Sequence, residues 1–319
     1  METASGLTQA PRQIIITILM SSTLNASPVA VVGATGFVGR NVVAELSSAG
    51  YHVRAISRDG RRLADWDATV EPAAGNVETG EGLKEALAGS DTVVHLAAIP
   101  RPSHGRTLVN VNVRGVERML AAAHANKVRR IVFLGALGAT DDPKLGFLYS
   151  KWLGEQLVRG SGLEWVVLRP SLLFGKGDGF FNLVKVTLKW WSPGVVAIPG
   201  DGQTRFQPLS VEDVAIAVRH CVADADRAGS VYELGGPAYL TYREIVEAVT
   251  AATGKRRLKL NLPIPIIGAL TAVTDRVLPI FPVSHDQIVS LGRPNWTDLD
   301  SFQRAFGVVP RPIDLSYLR

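Results

Sequence analysis

Residues 29–39 read VAVVGATGFVG: an apolar, mostly β-branched run passes straight into glycines at positions 33, 36 and 39, and a helical pattern follows. A strand, a glycine-rich bend and a helix in this order leave little freedom of fold. Gly33 allows a tight exit from the strand. Gly36 lacks a Cβ, so backbone N–H groups there can approach an anion closely, and Gly39 lets the helix pack tightly on the sheet. The N-terminus of that helix adds about half a positive charge facing the bend. The expected ligand is a pyrophosphate, held by Gly33, Thr35, Gly36, Phe37, Val38 and Gly39.

From Val29 onward, strand and helix patterns alternate. Strands are expected at residues 29–32, 52–57, 69–73, 92–96, 130–134 and 165–168, with helices at 37–49, 82–88, 111–125 and 146–159. That rhythm predicts an α/β fold with a doubly wound parallel sheet, because parallel strands need right-handed crossovers. Past Arg169 the elements shorten and Gly and Pro become denser, although helices are expected at 211–223 and 242–253. The organisation read from this is a leader at 1–27 without fixed structure, a dinucleotide-binding domain at 28–170, and a smaller mixed α/β lobe at 171–319 that shares the core.

Composition narrows the chemistry. The chain has 319 residues, 46% hydrophobic and 20% charged, which suits a sizeable core and excludes wholesale disorder. One cysteine excludes an intramolecular disulfide and a cysteine-based zinc site, and Cys221 falls on the apolar part of an expected helix, where it reads as inert core. Six histidines show no H-E-x-x-H spacing, so no metal is expected. The net charge of +5 favours anionic partners, but the basic residues are dispersed and carry no nucleic-acid motif, so nucleic acid is not an expected partner. The apolar run at 14–20 is too short to span a bilayer, which takes about 20 residues.

The ends of the following strands supply the other candidate cofactor contacts. Residues 54–59 read RAISRD, so the tip of the second strand carries Ser57 and Arg58 where an NAD-selective site places a carboxylate. A guanidinium there pairs with a 2′-phosphate. NADP(H) is therefore the preferred cofactor, with NAD(H) as the alternative. Asn76 and Val77 after the third strand, and Leu96, Ala97 and Ala98 after the fourth, can line adenine and ribose. His95 reads as a packed strand-end histidine.

With these motifs in place the chain resembles the short-chain dehydrogenase/reductase superfamily in its extended and atypical branches, which includes the NAD-dependent epimerase/dehydratase family. The runs that carry the resemblance include GATGFVG at 33–39, VVHLAA at 93–98, NVRG at 112–115, YSKWLGE at 149–155 and ELGGPAYLTYREI at 233–245. More narrowly it is similar to the NAD(P)H-binding accessory subunits of respiratory complex I and their bacterial relatives, through RPSLLFGKGDGFFN at 169–182 and RFQPLSVEDVA at 205–215.

The resemblance implies a Tyr-x-x-x-Lys pair on one helix face, the tyrosine exchanging a proton and the lysine holding the nicotinamide ribose. Here the lysine is Lys151, and the residue four before it is Phe147, which has no titratable proton. Tyr149 is the fallback catalytic candidate, but two residues along a helix place it about 200° from Lys151. The usual serine after the fifth strand is also missing, since residues 135–138 read GALG. Losing a general acid costs about 10²–10⁴-fold in rate. By the same resemblance Lys151, Arg169, Pro170 and Ser171 should flank the nicotinamide end, and Asn182, Arg205 and Gln207 become substrate-side candidates. Asp213, beside Ser210 as an N-cap, reads as structural.

The expected function is an NAD(P)H-binding protein of this superfamily with a degenerate catalytic pair, in a cofactor-holding or respiratory-complex-associated role. The alternative is an active NAD(P)H-dependent oxidoreductase or epimerase/dehydratase on an apolar or quinone-like substrate. Expected partners are the dinucleotide and a respiratory-complex or membrane-surface partner, with a cytoplasmic location at the inner face of a membrane. Residues 262–283 are apolar and proline-rich and are expected to hold a helix at 266–277 that packs in the smaller lobe.

Overall fold

In the computed structural model, the described residues are 27–103, 105–190, 194–254, 257–263, 293 and 295–319. The expected leader up to residue 26, the expected helix at 266–277 and Trp191 lie outside them.

The first half follows the expected alternation. Strand β1 (Val29–Val32) leads into helix α1 (Phe37–Ser48), followed by β2 (Val53–Ser57), β3 (Glu71–Ala74), the short α2 (Leu83–Ala86) and β4 (Thr92–His95). Then come α3 (Arg114–Ala125), β5 (Arg130–Leu134), α4 (Gly146–Arg159) and β6 (Glu164–Pro170). The second half adds β7 (Leu173–Phe174), α5 (Phe180–Trp190), β8 (Val195–Pro199), β9 (Arg205–Phe206), β10 (Leu209–Ser210) and α6 (Val211–Ala223). It ends with β11 (Ser230–Leu234), β12 (Leu240–Thr241), α7 (Tyr242–Thr253), β13 (Leu258–Leu262) and α8 (Ser301–Phe306).

Seven strands form one parallel sheet in the order β11-β6-β5-β4-β1-β2-β3. Its inner strands β1, β4 and β5 are buried on both faces, which is why they read as mostly apolar runs. Alternate residues divide between two layers. Val29, Val31, Val53, Ala55, Val94, Val132 and Val166 pack with Val42, Leu46, Val214, Val218, Phe302 and Phe306 of α1, α6 and α8. Ala30, Val32, Ile56, Val93, Ile131, Phe133 and Val167 pack with Leu83, Val116, Met119 and Val158 of α2, α3 and α4. A separate cluster around Phe174, Phe181, Ile198, Phe206 and Ile245 fills the smaller lobe.

Two features depart from the sequence reading. The helix expected from residue 111 starts at Arg114, because Val109–Val113 forms a π-helical turn. Asn112, 2% exposed within it, accepts from the Ile99 N–H at 2.8 Å and donates to the Ile99 carbonyl at 2.9 Å and to Ser150 Oγ at 2.9 Å. The turn aims this amide at the β4 exit, which a continuous α-helix starting earlier would not reproduce. The other departure is β11, a strand from the second half that pairs with β6 from Ser230↔Val166 to Leu234↔Pro170 and so extends the sheet of the first half.

Helix α4 is tied to β6 by a buried ion pair. Glu155, with no exposed surface, takes Arg169 at two points, from Nε at 2.9 Å and from Nη2 at 2.8 Å. Removing Glu155 would leave Arg169 with Glu233 at 3.5 Å and would take from the buried Lys151 the carboxylate that offsets its burial. Glu155→Ala should therefore lose about 3 kcal/mol of unfolding free energy, measured by urea denaturation. A loss no larger than that of Glu117→Ala on α3 would show that the pair does not hold the layers.

Candidate functional site

The expected bend after β1 has the geometry of a phosphate cradle. Gly33 has φ +91°, a left-handed conformation, and a Cβ on it would lie 2.9 Å from the Ala97 nitrogen. A Cβ on Gly39 would fall 2.2 Å from the Gly33 carbonyl oxygen. The bend closes on itself through the Gly36 N–H to the Gly33 carbonyl at 3.0 Å. Helix α1 starts at Gly36 with no side-chain cap and no acidic residue in its first turn. Its first N–H groups are therefore open to an outside acceptor. Gly36 is exposed, and Thr35, Phe37 and Val38 are half-buried around it. These residues fit the diphosphate of NAD(P)H.

Along the sheet edge, Arg58 stands at the tip of β2 with 63% of its side chain exposed and Glu78 at 3.9 Å. Asp59 beside it is engaged: Ser57 Oγ donates to its carboxylate at 3.0 Å and Arg61 lies 3.6 Å away. The Ser57 hydrogen bond is the main cause holding the Asp59 carboxyl below its ordinary range. Arg54 faces elsewhere, pairing with Glu71 at 3.0 Å. Asn76 closes its own turn by accepting from the Glu78 N–H at 2.9 Å, and Val77 is buried beneath it. Leu96, Ala97 and Ala98 continue β4 past Val32, with the Leu96 N–H bonded to the Val32 carbonyl at 2.9 Å.

At the other half of the crevice Lys151 is 5% exposed. Its ammonium donates to the Leu134 carbonyl at 2.5 Å and stands 4.8 Å from the centre of the Phe133 ring. Burial pushes its pKa down to about 8, against the pull of Glu155 one helical turn away. His95 stacks on the same ring at 5.9 Å and is 1% exposed. Burial, and then the nearby Lys151 charge, push His95 down to about 3, so it is a neutral packed imidazole.

The phenol does not reach this lysine. Helix α4 is regular from Gly146, and the Tyr149 N–H already bonds the Leu145 carbonyl at 2.8 Å, so there is no break to rotate Tyr149 onto the Lys151 face. Its ring stacks on Trp152 at 6.1 Å. Phe147 occupies the position one turn before Lys151, and beyond β5 the chain presents Ala136 and Leu137, both buried. The structure therefore gathers Lys151, His95 and Phe133 at the β4 and β5 ends without Tyr149.

Arg169 turns away to Glu155 and also approaches Glu233 at 3.5 Å, so its guanidinium serves the sheet interior. Pro170 and Ser171 line the β6 exit, both buried. Gln207 is fully buried; it donates to the Gly236 carbonyl at 2.7 Å and accepts from the Thr297 N–H at 2.8 Å. Asn182 bonds back to Asp178, and Arg205 is exposed. Asp213 is 1% exposed and is held by Arg311, with Ser210 capping α6 through the Glu212 N–H. Burial pushes the Cys221 thiol up to about 12, as suits inert core. No group of metal-ligating side chains occurs among the described residues, and no helix among them is long and apolar enough to cross a membrane.

One residue at this rim escaped the sequence reading. Asn295 accepts from Ser171 Oγ at 2.8 Å and donates to the Leu137 carbonyl at 3.1 Å. Its place 124 residues after Ser171 leaves no local signal for it.

Known proteins resemble this chain in sequence and in fold. Residues 33–189 match the model of an NAD(P)H-binding family. The chain is 27% identical over 292 residues to the mitochondrial 40 kDa subunit of NADH-ubiquinone oxidoreductase of Neurospora crassa, covering 87% of this chain and 76% of that protein. It is 30% identical over 277 residues to the chloroplastic divinyl chlorophyllide a 8-vinyl-reductase of Zea mays, covering 81% and 67%. In fold it is similar to a nucleoside-diphosphate-sugar epimerase from Staphylococcus aureus, with a TM-score of 0.71 at 19% identity over 91% of this chain and 99% of that one.

A depressed lysine pKa makes stability pH-dependent. The native state releases the Lys151 proton near 8, whereas an unfolded lysine holds it to its ordinary 10.5. The unfolded chain thus binds more protons across that window, and stability rises with pH through it. The unfolding free energy of the wild type relative to Lys151→Met should climb between pH 8 and 10.5. A flat difference across a set of urea melts would refute the buried ammonium.

Proposed function

Since this chain belongs to the NAD(P)H-binding family of atypical short-chain dehydrogenases/reductases and epimerases, we propose that it holds a dinucleotide, NADP(H) in preference to NAD(H), and that it holds the cofactor rather than turning it over. The observation that carries this reading is the face of α4 above Lys151. The residue one turn before the lysine is Phe147, and Tyr149 stacks on Trp152. When bound, the cofactor supplies a hydride. The protein side of such a reaction would need a proton donor beside the reacting carbon, and the residues that stand at the usual donor positions are Phe147 on α4 and Ala136 and Leu137 after β5.

The residues divide the binding among themselves. Residues 28–170 form the dinucleotide-binding domain in this reading, and residues 171–319 the substrate-side lobe. Gly33, Thr35, Gly36, Phe37, Val38 and Gly39 take the diphosphate. Arg58 takes the 2′-phosphate, with Asp59 occupied by Ser57 and Arg61 and so not competing for the ribose. Asn76, Val77, Leu96, Ala97 and Ala98 flank the adenosine half. Lys151 anchors the nicotinamide ribose through its ammonium, while Pro170 and Ser171 close that end; Arg169 supports them from within the sheet. Likeness to the Neurospora crassa subunit extends the proposal to a respiratory-complex or membrane-surface partner at the cytoplasmic face of a membrane.

A second reading is favoured by one feature: Lys151 is retained, buried and lowered to about 8. A reductase acting on an apolar or quinone-like substrate would use it, as the similarity to a reductase of Zea mays suggests.

Denaturing the purified protein should release close to one NADP(H) per chain. Arg58→Glu should weaken NADPH binding about tenfold or more, with little change for NADH, by titration of the apoprotein. Wild-type protein should leave NADPH unoxidised against panels of ketones, aldehydes and quinones. Turnover that Lys151→Ala abolishes would replace the holding role with the second reading.

A further inference from the structure

The sheet divides the crevice in two. In a doubly wound order, the ends of β1, β2 and β3 serve one mononucleotide and the ends of β4, β5 and β6 the other. The β1 bend and Arg58 place the adenosine half on the first group. The nicotinamide half then falls at the exits of β5 and β6, where residues 135–138 carry no polar side chain. Fixed polar atoms at those exits include the Leu137 carbonyl and the Ser171 hydroxyl, and Asn295 bonds both.

We propose that Asn295 is a positioning residue for the nicotinamide half of the dinucleotide site, its carboxamide setting the β5 exit loop against the β6 exit loop through Leu137 and Ser171. The inference rests on the cofactor reading above.

The main chain of Asn295 is held independently of its side chain. Its N–H donates to the Arg205 carbonyl at 3.0 Å, and its carbonyl accepts from the Gln207 N–H at 3.1 Å and from Ser171 Oγ at 3.1 Å. Gln207 in turn holds the Thr297 N–H, and Tyr239 Oη donates to the Thr297 carbonyl at 2.8 Å. Residues 295–297 are thus strapped along β9 before the carboxamide makes any contact. The side chain adds the tie to the β5 exit loop, 158 residues before it, and gives Ser171, 124 residues before it, a second and shorter acceptor, so the carboxamide joins the two loops. Its two ends have opposite polarity, matching a carbonyl on one side and a hydroxyl on the other. A carboxylate at this position would keep the Ser171 contact and set a negative oxygen against the Leu137 carbonyl.

The test separates the two halves of the ligand. NADPH and 2′-phospho-ADP-ribose, which lacks the nicotinamide, are titrated against wild type, Asn295→Ala and Asn295→Asp, and the fluorescence polarisation of bound NADPH reports how firmly its nicotinamide is held. Both variants should bind NADPH about tenfold more weakly, the worth of one hydrogen bond, with lower polarisation and unchanged affinity for 2′-phospho-ADP-ribose. If Asn295→Ala does not fold, Ser171→Ala removes one arm of the bridge and should show the same split. Wild-type protein that binds neither ligand would overturn the cofactor reading and this inference with it. Wild-type binding with both ligands weakened alike, or neither weakened, would leave the cofactor reading standing and remove Asn295 from it.

Discussion

Strand β1 and helix α1 approach so closely that any side chain at residue 39 would collide with the backbone of residue 33, 2.2 Å from where its Cβ would sit. That single close approach orients the whole cofactor side of the molecule. It points the uncapped start of α1 at the crevice, where open N–H groups and the helix dipole attract the same anion. It seats α1 on β1, where it meets α6 across one face of the sheet. With β1 inside the sheet, β2 and β3 lie to one side and β4, β5, β6 and β11 to the other.

The other half of the crevice is built around one buried cation. Lys151 is desolvated against Phe133 and the Leu134 carbonyl, and Glu155 on the same helix offsets part of that burial while also holding Arg169. A charge row of this kind, lysine to glutamate to arginine, keeps a cation poised inside the protein. Alone it cannot deliver a proton to a carbon or oxygen in the way a neighbouring phenol would.

Much of the cofactor side was legible along the chain because its signals are local. Glycine spacing, apolar runs buried on both faces and helix periodicity all act within a few residues, and they located β1, α1, β5 and α4 within a residue or two. The π-helical turn at Val109–Val113 was not legible, since the amide that accompanies it, Asn112, finds its partner at Ile99 and not in its own helix. Strand β11 was missed because a five-residue strand among short, irregular elements carries no sign of which sheet edge it will join. Arg169 and Gln207 stood in positions that motif reading assigns to ligands, and their side chains turned out to be spent on Glu155 and on the backbone of residues 236 and 297.

The amino-acid order by itself determined the α/β alternation, the glycine bend ahead of α1 and the phenylalanine one turn before Lys151, because each depends on residues that are neighbours on one strand or helix. Only the tertiary structure decided that Lys151 is desolvated against the end of β5, that Tyr149 belongs to another face, and that Asn295 reaches back to Leu137 and Ser171. Those outcomes depend on which distant segments share a low-dielectric space. Burial and long-range hydrogen bonding are properties of the packed chain and leave no periodic trace in the sequence.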